Sequence, residues 1–240
     1  MQLPFWPNNN KNLEITTDSG VFARYPVKTH VIMKEDDPFE VVDKYVRRYL
    51  EKGDVLFISE KIIAIMQGRA FKVSEIKVSL LARILVKFVY KPDYGIGIGS
   101  PATMELCIRS VGRLKILFAA VCSGICKLFG KRGVFYKICG PAARAIDGPC
   151  EYTLPPYNEY AKMAPDKPFE MAEKLANHLG NDVVIIDAND IGVNVLGKYP
   201  ISITDRFCEQ VFKDNPLDQC DQQTPLCIVR EVPQNTPCDL

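Results

Sequence analysis

Apolar residues alternate or cluster along the first quarter of the chain in patterns that predict strands. Residues 13–17 and 22–33 are predicted as two strands, with Asp18-Ser19-Gly20 forming the turn between them. The short apolar run 54–59 is typical of a buried strand. These three strands place the beginning of the chain in a sheet.

Helical spacing follows between the second and third of these strands. Asp37 is the expected N-cap, Pro38 takes the first helical position, and Gly53 is the expected C-cap of a helix with apolar residues through Tyr49. Run 61–66 fits a strand or a helix equally well, because its period is ambiguous.

The remaining pattern mixes helices and strands irregularly. It predicts helices at 78–89, from Ser100-Pro101 onward, at 141–146 and at 168–179 with Gly180 as the stop, strands at 182–186 and 226–232, and a loop-rich segment between those two strands. The apolar run 114–129 is expected as a core helix, with a strand at 115–122 as the alternative. This mixture predicts an α/β or α+β fold with mixed sheets and flanking helices.

Composition and charge narrow the class of protein. The 240 residues are 47% hydrophobic and 25% charged, which is typical of a soluble globular protein with one large domain or two closely joined lobes. A formal net charge of +1 provides no electrostatic argument for a nucleic-acid or acidic-membrane partner. Run 114–129 is shorter than the ~20 residues that cross a bilayer, and the N-terminus does not resemble a signal peptide. A cytoplasmic location without a membrane partner is expected.

Nine cysteines are present, but no CxxC pair occurs, and the chain has only two histidines. The spacing therefore does not offer a zinc site. An odd number of cysteines, several of them in apolar runs, favours reduced and buried thiols in the cytoplasm.

A glycine-rich segment is the first candidate for ligand binding. Gly95, Gly97 and Gly99 alternate before Ser100, so the backbone can approach a ligand closely and its N–H groups can hold a phosphate. The segment matches neither GxGxxG nor GxxxxGK[ST]. A tight turn into a helix with Ser100 as the N-cap explains it equally well.

Carboxylates after an apolar strand are the second candidate. Asp187 is expected at the end of strand 182–186, followed by Asn189 and Asp190, which suits a divalent cation or, alternatively, a solvated turn. Asp147 in a Gly-Pro turn is a possible second metal carboxylate, and Arg144 would clamp a phosphate or a substrate carboxylate. An ordinary turn with a surface arginine is the other interpretation.

Polar groups elsewhere complete the candidates. Ser59, Glu60 and Lys61 follow the buried strand and would face a cleft, where Lys61 neutralises phosphate and Glu60 positions an amine; the alternative is a strand end in solvent. The polar run 219–225 would close over a nucleotide or form a mobile tail. The aromatic loop that carries Asn158 and Glu159 would bind a flat ring system or simply pack on the surface.

Lys28 and His30 are further candidates for substrate binding. His30 is interpreted as a hydrogen-bonded strand histidine rather than as a catalytic base, because histidine is scarce and no GxSxG segment occurs.

Taken together, these segments resemble the coenzyme F420-0:L-glutamate ligase family, and the similarity is strongest to its bacterial branch. The matching strings are GDVLFISEKIIAIMQGRA at 53–70, GIGIGSPATMELCIRSVG at 95–112, KLFGKRGVFYKICGPAARAIDGP at 127–149, TLPPYNEYAK at 153–162, VVIIDANDIGVNVLG at 183–197 and DNPLDQCDQQTP at 214–225.

The resemblance implies a single ligase-like domain over 1–240, with two interleaved lobes as the alternative, in a homodimer. It implies a ligase that uses GTP or ATP with Mg²⁺ or Mn²⁺ to join L-glutamate to a carboxylate of F420-0 or a folate through an acyl phosphate. The implied metal ligands are Asp147, Asp187, Asp190, Asp221 and Gln222; the implied nucleotide contacts are Ser59, Glu60, Gly95, Gly97, Gly99, Ser100, Gln219 and Thr224. Asp147 and Asp187, distant in sequence, are expected to bind one cation, with Lys61 and Arg144 as catalytic cations.

Three positions depart from the pattern of archaeal members. Cys150 stands where an asparagine is expected, Ala188 replaces a threonine, and Gln222 replaces an acid. The alternative function is therefore a non-catalytic protein that retains the fold and a nucleotide or cofactor pocket.

Overall fold

The computed structural model of the chain describes residues 3–89, 97–131, 133–151, 153–189, 192–218 and 222–233. Two compact units divide these residues: one contains the residues up to Gln67 and from Pro165 onward, and the other contains Gly68–Ala164. The first unit is therefore built from both ends of the chain, and the second is inserted between them.

The first unit contains the larger sheet and four helices. Its elements are β1 (Glu14–Thr17), β2 (Gly20–Val27), α1 (Pro38–Tyr45), β3 (Val55–Ser59), α2 (Glu60–Met66), α8 (Pro168–Leu179), β6 (Asp182–Asn189), β7 (Gly192–Tyr199), α9 (Asp205–Phe212) and β8 (Leu226–Glu231). The second unit contains β4 (Ala70–Lys72), α3 (Leu80–Leu85), α4 (Pro101–Val111), α5 (Arg113–Leu128), α6 (Val134–Cys139), α7 (Pro141–Arg144) and β5 (Tyr160–Lys162).

Six strands form one sheet in the order β1-β2-β8-β3-β6-β7. Strands β3 and β6 are parallel, and the other neighbours are antiparallel. The sequence expectation of mixed sheets with flanking helices is confirmed.

One face of this sheet packs against α9. Val184 and Ile186 of β6 and Phe57 of β3 share an apolar cluster with Phe212 of the helix, and the rings of Phe57 and Phe212 stack at 4.5 Å between centroids. Because strand side chains alternate between faces, Ile185 and Asp187 lie on the opposite face of β6.

The second unit has its own core, contributed mostly by α4. Met104, Leu106 and Cys107 of this helix have no exposed surface, and they pack with Ile98, Ile116 and Ile146 among others. A two-stranded antiparallel sheet, β4-β5, belongs to the same unit. Burial on this scale gives the inserted unit a core of its own.

Several predicted elements agree with the structure. Strand 13–17, strand 54–59 and helix 168–179 with Gly180 as its stop are found within one residue of the expected bounds. Helix α4 starts at Pro101 with Ser100 as the N-cap. The ambiguous run 61–66 is helix α2.

Two predicted elements of the first unit are clearly shorter than expected, and in the second unit the helices predicted at 78–89 and 141–146 are α3 and α7, which are shorter as well. Strand β2 ends at Val27 rather than at residue 33, because its partner β8 begins at Leu226, opposite Val27. Helix α1 begins at Pro38 as predicted but ends at Tyr45, and a short 3-10 turn follows before Gly53.

Two predictions in the rest of the chain are wrong. Run 115–122 is not a strand, and α5, which contains it, buries only Ile116 and Ala119, so it is not a core helix either. The segment between the last two predicted strands is not loop-rich, because it contains β7 and α9. Among the residues that the structure describes, no helix combines the length and apolarity needed to cross a bilayer.

Candidate functional site

The ends of several strands meet at one edge of the six-stranded sheet. Val27 of β2 pairs with Leu226 of β8, which in turn pairs with Ile58 of β3. The next residue of β3, Ser59, pairs with Ile186 of β6. The residues that follow β2 and β3, the residues that precede β8, and the distal part of β6 therefore lie along one edge of the first unit.

Ser59, Glu60 and Lys61 form the turn from β3 into α2 at this edge. The Ser59 hydroxyl caps the helix by accepting a hydrogen bond from the Lys61 backbone N–H at 3.4 Å. The Ser59 N–H donates to the Pro225 carbonyl at 2.8 Å. Glu60, in the first turn of the helix, is buried, so its carboxylate lies within the protein rather than in solvent. An apolar strand followed by a serine N-cap explains why the chain turns here.

The sequence predicts Asp187 at the end of its strand, and this prediction is wrong. Strand β6 continues to Asn189 because β7 pairs with it, and Asp187 is opposite Asn194. The Asn189 side-chain carbonyl accepts a hydrogen bond from Gly192 N–H at 3.1 Å and closes the hairpin. Asp187 therefore lies one residue beyond the partner of Ser59, on the face of β6 away from α9. Asp190 lies outside the described residues.

The loop before β8 approaches the same edge. The Gln223 carbonyl accepts a hydrogen bond from Thr29 N–H at 2.9 Å. The Thr224 hydroxyl donates to the Leu217 carbonyl and accepts from the Asn8 amide, so it is engaged in holding the loop. The side-chain oxygen of Gln222 is buried and has no hydrogen-bond partner among the described residues. Gln219 and Asp221 lie outside them.

Lys28 and His30 follow β2 and are both exposed. His30 Nδ1 lies 2.7 Å from the Tyr45 hydroxyl, and Nε2 lies 3.0 Å from both carboxylate oxygens of Asp36. Partial burial by itself would raise the pKa of Asp36, but hydrogen bonds from Met33 N–H and from His30 lower it overall. The adjoining cleft, lined by His30, Asp36, Asp37, Glu40, Val41 and Lys44, has a volume of about 120 Å³. Ligand pockets usually hold about 300 Å³ or more, so this cleft is too small for a nucleotide.

The remaining predicted site residues belong to the second unit. Ser100 caps α4 through a reciprocal pair of hydrogen bonds with Thr103, which supports the interpretation of this segment as a turn into a helix. Gly97 has a left-handed φ of 44°, and Gly99 is buried. Gly95 lies outside the described residues.

Asp147 is held by Lys162 in the second unit. Their backbones form an isolated antiparallel bridge, and the Lys162 ammonium lies 2.8 Å from one carboxylate oxygen of Asp147. The Lys162 side chain is only 11% exposed, whereas that of Asp147 is 47% exposed. Arg144 is exposed at the end of α7.

Asn158 and Glu159 form a short 3-10 turn before β5. The Glu159 carboxylate lies 3.2 Å from the Lys72 ammonium of β4, and this hydrogen bond raises the pKa of Lys72. The pair is exposed on both sides, which makes it a weak surface ion pair.

Sequence reasoning missed two residues of these arrangements. The first is Lys162, which carries the positive charge beside Asp147. The sequence did contain a signal for it: side chains alternate along a strand, so Lys162 lies on the opposite face of β5 from the buried Ala161. Asn194 is opposite Asp187 on β7, a strand that the sequence analysis did not predict.

The donor atoms at the sheet edge suit a hard cation, but the described part of the chain does not hold three acidic, histidine or cysteine side chains in one group. The orphaned oxygen of Gln222 is the type of ligand that Mg²⁺ and Mn²⁺ accept, and so is the Asp187 carboxylate. Asp147 is less favourable, because the ammonium of Lys162 would repel a cation beside it.

The fold and this edge define an α+β protein with polar groups gathered where the parallel strands β3 and β6 end. The family model described as F420-0:Gamma-glutamyl ligase matches residues 26–125. Over that segment, which covers β3, α2 and much of the second unit, the chain is similar to the F420-0:gamma-glutamyl ligase family. The match supports a ligase of the gamma-glutamyl type that acts on small molecules and glutamate. No curated protein gives a significant match to the chain.

Proposed function

We propose that this protein joins the amine of L-glutamate to a carboxylate of F420-0 or a folate, at the expense of GTP or ATP and with Mg²⁺ or Mn²⁺. The family match supports the ligase class. The nucleotide, the metal and the acceptor are the finer parts of the proposal. We also infer a homodimer in the cytoplasm, which rests on the family resemblance alone.

The observation that carries the proposal is the register between β3 and β6. Ser59 pairs with Ile186, so the Ser59-Glu60-Lys61 turn leaves the sheet beside Ile186, and Asp187 is the next residue of the adjacent parallel strand β6. Ligands of sheets with parallel strands bind outside the carboxyl ends of those strands. The Pro225 carbonyl accepts a hydrogen bond from Ser59 N–H, so the loop that carries Gln222 lies at the same edge of the sheet.

The reaction has two transfers. In the first, an oxygen of the acceptor carboxylate attacks the γ-phosphorus, which forms an acyl phosphate and releases the nucleoside diphosphate. In the second, the glutamate amine attacks the acyl carbon, inorganic phosphate leaves, and the amine gives up a proton as the amide forms. Both steps are accelerated by positioning and by neutralisation of phosphate charge.

Residues of the first unit would serve these steps. Lys61 would neutralise the transferred phosphoryl group, and buried Glu60 would orient the glutamate amine. Asp187 and Gln222 would hold the divalent cation, with Asp190 and Asp221 next to them in sequence. When bound, such a cation would neutralise negative charge on the phosphates. Lys28, His30, Ser59, Gln219 and Thr224 would contact substrate or nucleotide.

The family resemblance also gives roles to residues of the second unit. Arg144 is exposed and could form a bidentate contact with a carboxylate or phosphate. Gly97, Gly99 and Ser100 would approach the nucleotide, and Asn158 and Glu159 the acceptor. Asp147 is proposed as a metal ligand whose orientation is fixed by Lys162.

A second candidate function is a non-catalytic binding protein with the same fold. The observation that favours it is the ion pair between Lys162 and Asp147, which neutralises one of the two carboxylates expected to bind metal. The departures at Cys150, Ala188 and Gln222 point in the same direction. This candidate predicts ligand-induced thermal stabilisation without turnover.

A crossed glutamylation assay separates the two functions. The full chain is incubated with L-glutamate and Mn²⁺, with F420-0 or a reduced folate as the acceptor and GTP or ATP as the nucleotide. We expect a glutamate adduct by mass spectrometry and phosphate release that requires one of the acceptors. Stabilisation by nucleotide without any adduct in all four combinations would replace the ligase with the binding protein.

A further inference from the structure

The charge of the chain is divided unequally between its two units. Gly68–Ala164 contains 15 lysines and arginines but only 6 aspartates and glutamates, whereas the rest of the chain contains 15 and 23. The overall charge of +1 is therefore the sum of a strongly basic unit and a strongly acidic one. Between Glu105 and Asp147 the sequence has eight basic residues and no acidic residue. The net charge of the whole chain does not reveal this basic segment.

Helix α5 lies in the middle of this basic segment and exposes an apolar row. Its buried side consists of Ile116 and Ala119. At 100° per residue, the other large apolar side chains fall on one face. The apolar row consists of Leu114 (85% exposed), Leu117 (43%), Phe118 (63%), Val121 (61%), Ile125 (53%) and Leu128 (85%), continued by Phe129 (77%).

The second unit carries most of the exposed apolar surface of the described residues. Ten of their fourteen exposed large apolar side chains belong to it, including Leu80, Ile84 and Phe88 at helical spacing in and after α3. Exposed apolar surface collected in this way marks an interaction site more often than scattered single residues do.

Basic residues flank the apolar row at both ends of α5. Arg113 and Lys115 are exposed at its start, and Lys127 and Lys131 at and after its end. None of these four side chains forms an ion pair within the described part of the chain, whereas the nearby Arg109 pairs with Glu105. Long basic side chains at the border of an apolar face can place their charges in a polar layer while their stems remain in an apolar one.

We propose that α5 binds the surface of a bilayer that contains anionic lipids. The apolar row enters the boundary between head groups and acyl chains, and the four flanking cations contact the lipid phosphates and carboxylates. The helix lies in the plane of the surface. Its 16 residues and its packing on Ile116 and Ala119 fit this orientation.

A second copy of the chain fits this face less well. Antiparallel packing of two α5 helices would bring Arg113 and Lys115 of one copy against Lys127 and Lys131 of the other. Parallel packing would join like charges as well, and α5 offers no acidic residue in compensation. An anionic lipid surface supplies the complementary charge that a second copy lacks.

Vesicle flotation of the full chain tests the proposal. We expect the protein to float with vesicles of phosphatidylcholine and phosphatidylserine, and to remain at the bottom with phosphatidylcholine alone. The double variant Phe118→Gln/Val121→Gln is expected to lose at least about tenfold in partitioning, because two apolar side chains leave the bilayer. The variant Arg113→Gln/Lys115→Gln, whose two side chains border the row at 100° per residue, should lose on the order of twentyfold, or about fivefold for each cation.

Matched variants in the first unit serve as controls. Ile201→Gln removes an apolar side chain that is 76% exposed, and Lys174→Gln/Lys213→Gln removes two exposed cations. Both should float like the unchanged protein, and all variants should keep its thermal unfolding midpoint. Equal flotation with both vesicle types, or with none, would overturn the proposal. The proposal would also be overturned if the protein bound no lipid and its molecular mass, measured by light scattering, halved in the Phe118→Gln/Val121→Gln variant. That result would mean that a second copy of the chain covers the apolar row.

Discussion

Ser59 and Ile186 are paired neighbours in the parallel strands β3 and β6. At Ser59 the chain leaves the sheet and begins α2, whereas on β6 it continues for three residues into the hairpin with β7. Because β6 extends three residues further than β3 at this end of the sheet, Asp187 lies beside the turn that contains Glu60 and Lys61. The relationship depends on backbone pairing rather than on side-chain contacts, so substitutions of single side chains test it without dismantling the sheet.

Gly197 has no room for a side chain. A Cβ at this position would overlap the backbone of Pro168 and Phe169 at the start of α8. We expect Gly197→Ala to lower the free energy of unfolding by about 1–3 kcal/mol, because helix α8 must shift away from β7. Chemical denaturation measures the change.

Gly124 is the matched control for this substitution. It lies in α5, and nothing stands within 4 Å of a Cβ added there. Gly124→Ala should raise stability by about 0.5–1 kcal/mol, since alanine favours the helix. Equal effects of the two substitutions would contradict the close approach of α8 to β7.

Arg24 and Asp214 form an ion pair in the core of the first unit. The Arg24 side chain has no exposed surface, whereas Asp214 is 34% exposed. Breaking a buried pair usually costs about 3–5 kcal/mol, and the partial exposure of Asp214 reduces the expected cost of Asp214→Asn to about 2–3 kcal/mol. Glu170→Gln, which breaks the exposed pair with Lys167, should change stability by less than about 1 kcal/mol. A larger effect of Glu170→Gln would contradict this account.

The same pair gives the protein an acid-sensitive stability. Burial by itself would raise the pKa of Asp214, but the hydrogen bonds and charge of Arg24 lower it overall. A lowered pKa means that the unfolded state binds the proton more tightly. The stabilisation is therefore complete above the unfolded pKa of about 4 and is lost as the pH falls through the lower folded value. Denaturant titrations at several pH values should show this loss below about pH 4, and a shallower loss in Asp214→Asn.

Three buried cysteines should resist alkylation in the folded protein. Burial raises the pKa of Cys107, Cys208 and Cys227 to about 12, so almost no thiolate exists at neutral pH. Cys122 and Cys126 are half-buried on α5 and should react before these three. Maleimide labelling with peptide mass mapping, with and without urea, distinguishes the two groups. Modification of Cys227 at the rate of Cys126 without urea would show that the sheet opens readily.

Local signals were sufficient for parts of the fold. Helix α8 combines Pro168, an apolar stripe and Gly180, and each of these agrees with the others. Strand β2 was predicted too long because the apolar pattern continues to Met33, whereas its length is fixed by a partner strand that begins 199 residues after Val27, at Leu226. Pairing between distant segments is not visible in a local pattern.

Sequence reasoning predicted α5 wrongly and missed strand β7, for different reasons. Apolar residues surround α5 on nearly all sides, which sequence reasoning takes as burial, but only two of them are buried. Strand β7 contains Gly192, Asn194 and Gly197, which weaken any strand signal. Helix α9 did carry a signal, because Thr204 caps it and Cys208, Val211 and Phe212 repeat at helical spacing.

The candidate site was predictable where it follows a strand. Ser59, Glu60 and Lys61 were identified from an apolar run that ends in polar residues, and in the structure they lie where β3 ends and α2 begins. The position of Asp187 was less predictable, because the extension of β6 depends on β7. The role of Lys162 beside Asp147 depends on a bridge between residues 15 positions apart, which spacing alone does not indicate.

The rate of acceptor-dependent glutamate incorporation in Asp187→Asn, relative to Asp182→Asn, tests the central claim most directly. Both aspartates lie on β6, but Asp182 is its first residue and pairs with Val55, at the other end of β3 from Ser59. We expect Asp187→Asn to lower the rate by at least about 100-fold, because the carboxylate proposed to hold the charge-neutralising cation is lost, and Asp182→Asn to leave it within about twofold. Equal rates in the two variants would contradict a catalytic role for this edge of the sheet.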